Sequence, residues 1–120
     1  MAHRCLLAIA LLTMLGIGLR LPAGEAEPPV RFETQIQPIL AAKCGQCHGE
    51  KNQTAELNLA TGADLLRGGE SGAVIVAGKP DESSLYERIH SGEMPPEGNP
   101  QLAAAEIELI RRWIAEGASN

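Results

Sequence analysis

The stretch AAKCGQCHGE, residues 41–50, constrains this chain more than any other part of its sequence. It sets Cys44 and Cys47 three positions apart and places His48 directly after the second cysteine. The chain has 120 residues, room for one small domain. A domain of this size is marginal on its own hydrophobic core and usually depends on a disulfide, a metal or a cofactor. Aromatic bulk is scarce: Phe32, Tyr86 and Trp113 are the single Phe, Tyr and Trp. Something other than aromatic side chains should fill the middle.

Four chemistries use a pair of cysteines at this spacing. A structural zinc site takes four ligands from two paired motifs. Here the second pair is missing, and His90 is the strongest remaining candidate. A thioredoxin-type redox pair sits at a helix N-terminus after a strand. This pair follows a helical pattern, with no βαβ signal around it. A Cys44–Cys47 disulfide closes a very short loop and stabilises little. Covalent haem attachment uses all three residues. Two thiols at this spacing form thioethers with the two vinyl groups of one haem, and the histidine that follows becomes an axial ligand of the iron. A haem also supplies the large apolar body that the sequence lacks.

The N-terminal residues fit the same chemistry. Met1–Ala26 carries Arg4, an apolar run from Cys5 to Leu19, and small residues at Ala23, Gly24 and Ala26. The run is about 15 residues, short of the roughly 20 that span a bilayer. The layout is that of a secretory signal peptide over residues 1–26, cleaved near Ala26. Retention as a membrane anchor is the alternative, with Arg20 awkwardly placed for cleavage. Cys5 stands at the start of the apolar run, not after it, and is not positioned for lipid attachment. Export to the periplasm suits haem attachment, which bacteria complete outside the cytoplasm.

Residues 27–120 then form the domain. Setting aside Arg4, Arg20 and Glu25 from 10 basic and 15 acidic side chains leaves 8 and 14, a net charge of about −6. That balance disfavours nucleic acid and anionic membranes and favours a protein partner with a basic docking face. No Ser/His/Asp set, phosphate loop or carboxylate pair marks a catalytic site.

Haem iron needs a second axial ligand or an open face. Met94, in the sequence MPP, is the one methionine of residues 27–120. A thioether raises the reduction potential by favouring Fe(II). Pro95 and Pro96 stiffen the loop that carries it, and Pro95 restricts Met94 to extended backbone. His90 is the competing ligand and would lower the potential. Its other reading is an exposed histidine at a helix C-terminus, favourable to the helix dipole.

Periodicity predicts helices and loops with no sheet. A first helix over Arg31–Lys43 carries Phe32, Ile36, Ile39 and Leu40 on one face, with Pro38 expected to kink it. Leu57 and Leu59 alternate on a short extended piece, and Asp64–Leu66 reads as one helical turn. Residues 68–80, GGESGAVIVAGKP, are a long loop of the kind that wraps something. A second helix spans Asp81–His90, with capping-box spacing from Ser84 to Glu87 and with Ser83 or Asp81 as other caps. A last helix spans Ala103–Glu116, with Gly117 as its stop.

Taken together, FETQIQPILAAKCGQCHG, LNLATGADLLRGGESGAVIVAGKPDESSLYERI, EMPPEGNPQL and AEIELIRRWIAEGA resemble the planctomycete-type cytochrome c domain, a branch of the class I monohaem fold. The resemblance runs from about Arg31 to Ala118. It implies an all-α cytochrome c-like fold, three to four helices and long loops around one covalently bound haem c. It implies Cys44 and Cys47 as thioether sites, His48 as proximal ligand and Met94 as distal ligand. It also implies that the first and last helices cross, bringing Phe32 near Trp113. The expected role is one-electron transfer between protein redox partners, with maturation by the c-type cytochrome machinery. The alternatives are a haem module docked on a larger periplasmic dehydrogenase, or an open-site haem protein for small ligands or peroxide. Two departures stand out. Relatives often carry proline where this chain has Ala73 and Ala77, in the long loop whose carbonyl is expected to orient His48 through Nδ1. Relatives also tend to place Ser or Thr before the last helix, where this chain has Ala103, so that helix should lack its side-chain cap.

Overall fold

A computed structural model of the chain describes residue 24 and residues 26–120. The signal peptide read over residues 1–26 lies outside the described residues apart from Gly24 and Ala26. Among the described residues there are helices and turns and no strand, with isolated bridges from His48 to Gln53 and from Gly69 to Gly72. The helices are α1 (Gln37–Cys44), α2 (Gly62–Arg67), α3 (Ser84–His90) and α4 (Ala104–Ala115). None of the helices described is long and apolar enough to cross a membrane.

The expected kink at Pro38 takes a specific form. Residues Phe32–Ile36 make a wide π-turn, in which the Gln37 amide bonds back to the Phe32 carbonyl, and α1 begins only at Gln37. Pro38 therefore sits in the first turn of α1, where its missing N–H goes unneeded. The helical run survives, and Phe32, Ile36 and Leu40 are all buried.

That face meets Ile110, Trp113 and Ile114 of α4, which are equally buried. The rings of Phe32 and Trp113 lie 5.4 Å apart and tilted by 38°, the crossing that the resemblance implied. Such a pair is worth about 0.5–1.5 kcal/mol beyond its buried area. The end of α4 is a Schellman motif: the Gly117 amide bonds to the Ile114 carbonyl, and the Ala118 amide bonds to that of Trp113. Gly117, at φ +107°, supplies the turn. The Trp113 indole N–H donates to the Ser119 carbonyl at 2.8 Å, so the largest core side chain leaves no polar atom unpaired.

The start of the described chain is strapped to α4. Arg112 pairs with Glu27 and Glu116, each at 2.7 Å, and donates to the Pro28 carbonyl. Glu116 also accepts the Val30 amide at 2.7 Å. The Val30 N–H, helped by Arg112, holds the Glu116 carboxyl below its usual pKa. The other end of α4 lacks a side-chain cap at Ala103, as expected. Glu106 supplies half a capping box by accepting the Ala103 amide at 2.8 Å.

The second helix is shorter than its pattern predicted. Pro80–Glu82 is a 3₁₀ turn, and α3 starts at Ser84 with Ser83 in the N-cap position. Ser83 does not cap it. Its buried hydroxyl accepts the Val76 amide at 2.9 Å and donates to the Lys79 carbonyl at 2.9 Å. A local side chain-to-backbone bond has won over the cap because it fixes the loop that precedes the helix. α2 is properly capped: Thr61 Oγ1 accepts the Asp64 amide at 3.1 Å.

Candidate functional site

The last turn of α1 delivers Cys44, and the chain then folds back in a tight turn. The amides of Cys47 and His48 both donate to the Cys44 carbonyl, at 3.2 and 2.9 Å. Thr54 then bonds back to the Cys47 carbonyl at 2.9 Å, and Leu59 to that of His48 at 2.8 Å. Cys44, Cys47 and His48 are thus each fixed through the main chain. Gly45 suits the geometry, since a Cβ there would stand 2.5 Å from the Ala41 carbonyl oxygen.

His48 Nδ1 lies 3.0 Å from the Thr54 carbonyl oxygen. A carbonyl only accepts, so the ring carries its proton on Nδ1 and turns Nε2 free as a ligand. This arrangement fixes the ring orientation and tautomer that a ligating histidine needs. The carbonyl does not come from the long loop 68–80, as the resemblance had led us to expect. It comes from the turn just after the motif, where Ala55 and Glu56 both adopt left-handed backbone, φ 58° and 57°. That turn aims Thr54 O at the imidazole and Ala55 O at the Glu70 amide, 2.9 Å away.

Beside His48 lies a cavity of about 470 Å³. Cys44 and His48, from the turn that ends α1, and Met94, from the loop after α3, all line it. Leu57, Leu59, Val74, Leu85 and Ile89 form its apolar wall, and Glu70, Ser71, Ser84 and Arg88 add polar groups. Its size lies within the range of cofactor sites. The long loop passes close because of its glycines. A Cβ on Gly69 would meet the Ala55 carbonyl oxygen at 2.6 Å, and Gly68 adopts φ +79° against the Gly72 carbonyl. Cys47 is exposed and opens instead on an adjoining shallow cleft of about 970 Å³, which shares His48 and Leu59 with the first.

Burial pushes the Cys44 thiol up to about 11. A disulfide-exchange cysteine has its thiol pKa lowered, so this environment does not suit thioredoxin-like chemistry. Among the described residues, no three His, Cys, Asp or Glu side chains converge as zinc ligands. The donor set in the cavity is thiol, imidazole and thioether in apolar surroundings, and it fits a haem better than a hydrated metal ion.

Met94 is half-buried, and its amide donates to the Arg88 carbonyl at 3.0 Å. Pro95 behind it is buried. The Gln101 side-chain amide lies 3.1 Å from the Pro95 carbonyl, 3.3 Å from that of Pro96 and 3.1 Å from that of Asn99. His90 is exposed and lies outside the cavity lining. Its ring stacks on Tyr86, with centroids 5.3 Å apart and planes at 22°.

The sequence motifs identified Cys44, Cys47, His48 and Met94, but not Thr54, Arg88 or Gln101. Thr54 and Arg88 act on the two candidate ligands through main-chain oxygens, which leave no signature in residue type.

Residues 44–98 match the model of the family described as Planctomycete cytochrome C. No curated protein and no solved structure matches the chain.

Proposed function

We propose, from the match of residues 44–98 to the Planctomycete cytochrome C family and from the site geometry, that the chain is an exported c-type cytochrome that carries one electron at a time between protein redox partners. The observation that carries this reading is the convergence of Cys44, His48 and Met94 on one largely apolar cavity. A haem c bound there supplies a one-electron Fe(III)/Fe(II) couple.

The roles of the residues follow from their surroundings. Cys44 and Cys47 hold the haem through thioethers, one from the cavity and one from the adjoining cleft. His48 is the proximal ligand through Nε2, with its Nδ1 proton kept on the Thr54 carbonyl. Met94 is the distal ligand, and its thioether favours the reduced state. The wall from Leu57 to Ile89 keeps water off the iron, which lowers the solvent rearrangement that accompanies each electron. The long loop and α3 are the segments that wrap the group.

The periplasm is the expected location, through the signal peptide at residues 1–26. A net charge of about −6 on residues 27–120, from 8 basic and 14 acidic side chains, favours a partner with a basic docking face. The partner is either a diffusible redox protein or a larger dehydrogenase that uses this chain as its haem subunit.

The test is to produce the chain with a bacterial c-type maturation system and record oxidised and reduced visible spectra. The expected result is a c-type haemochrome with the weak long-wavelength methionine-to-ferric-iron band. Covalent haem without that band would remove Met94 from the ligand set and direct attention to His90 or an open iron. No haem, where a control cytochrome matures, overturns the reading.

A further inference from the structure

Glu70 and Arg88 are the acidic and the basic residue that line the cavity. Arg88 is the one basic side chain in the lining, and its guanidinium is held by Glu93 at 2.6 Å. The rest of Arg88 is occupied with the methionine loop. Its carbonyl accepts the Met94 amide at 3.0 Å and the Ser91 hydroxyl at 3.2 Å, and the Glu93 amide returns to Ser91 Oγ at 3.4 Å. One residue thus ties the wall of the cavity to the segment that carries Met94.

A haem brings two propionate carboxylates into a cavity whose wall is mostly apolar. Carboxylates are costly to leave unpaired near apolar surface, and the planar fork of an arginine suits them. Glu70 repels them. We propose that Arg88 holds a haem propionate at the polar edge of this cavity, sharing its guanidinium between that carboxylate and Glu93, and that it is thereby a positioning residue for the haem as well as for Met94. The side chain is half-exposed, so its fork has room for a second carboxylate beside Glu93. The inference rests on the haem reading above and goes beyond it by naming where the polar edge of the group lies.

The test uses matured holoprotein in wild-type, Arg88→Gln and Glu93→Gln forms. It reads the propionate-bending mode by resonance Raman, the midpoint potential, and the methionine-to-iron band. Arg88→Gln is expected to shift the propionate mode and lower the potential, because removing a nearby cation stabilises the ferric iron relative to the ferrous. Glu93→Gln removes only the loop's own ion pair and is expected to leave Arg88 on the propionate, with the bending mode in place. Arg88→Lys keeps the charge without the fork, and a smaller shift is expected. It also serves as the readout if Arg88→Gln fails to mature. A propionate mode unchanged in the arginine variants, or moved equally by Glu93→Gln, overturns the proposal and leaves Arg88 as a latch for the loop. A wild-type chain that matures no haem overturns the function itself, so the two failures are distinguishable.

Discussion

The two candidate axial ligands are held in different ways. Around His48, the bonds that set the ligand run from main chain to main chain or end on a main-chain oxygen: Cys44 O, Cys47 O, His48 O and Thr54 O. Around Met94, the loop depends on one backbone bond to Arg88, on the stiffness of Pro95 and Pro96, and on side chains that reach in from Gln101 and Glu93. The first region is an extension of a helix end and is fixed by the fold. The second is a strap held largely by separate side-chain bonds, which can be released one at a time. The proximal side should therefore fail all at once, and the distal side by degrees.

Replacing His48 with alanine should break the comparison most severely. The variant is expected to yield no normal holoprotein, read as loss of haem-staining protein against wild type. Met94→Ala should keep covalent haem while the midpoint potential falls and added cyanide or imidazole binds. Unchanged potential and ligand binding would remove Met94 from the iron. Gln101→Ala sharpens the contrast. It strips side-chain support from the Met94 loop and is expected to cost about 1 kcal/mol. Its methionine-to-iron band should bleach at a lower temperature than the global unfolding of the same protein. The smallest effect lies away from both regions: Ala103→Ser gives α4 the side-chain cap it lacks and should raise stability by about 1 kcal/mol. That gain should raise the thermal midpoint by several degrees in a domain of this size, with no change in the visible spectrum.

Much of this was legible in the sequence. The stripe from Phe32 to Leu40, the last helix and the stop at Gly117 follow from spacing and from the conformational freedom of glycine. Other details were set by competition that spacing does not reveal. Pro38 was read as a kink, yet the chain widened the turn before it so that the proline fell where no amide is needed. Ser83 was one of several caps on offer and instead ties down Val76 and Lys79. At the site, Cys44, His48 and Met94 were recognisable by type, and their meeting at one cavity adds the geometry. The carbonyl on His48 was assigned to the wrong segment because any residue can supply a carbonyl. Only the left-handed turn at Ala55 and Glu56, unusual for residues other than glycine, brings the one from Thr54 to it.

That turn has a consequence for how such a site can vary. The atom that steadies His48 belongs to the peptide unit of residue 54, so replacing the Thr54 side chain leaves it in place. Point changes at 54 are expected to be nearly silent toward the histidine, while changes to the twist at 55 and 56 act on it from one and two residues away. His48, the proposed proximal ligand, is thus shielded from substitution at its own partner and open to adjustment through the shape of the chain beside it.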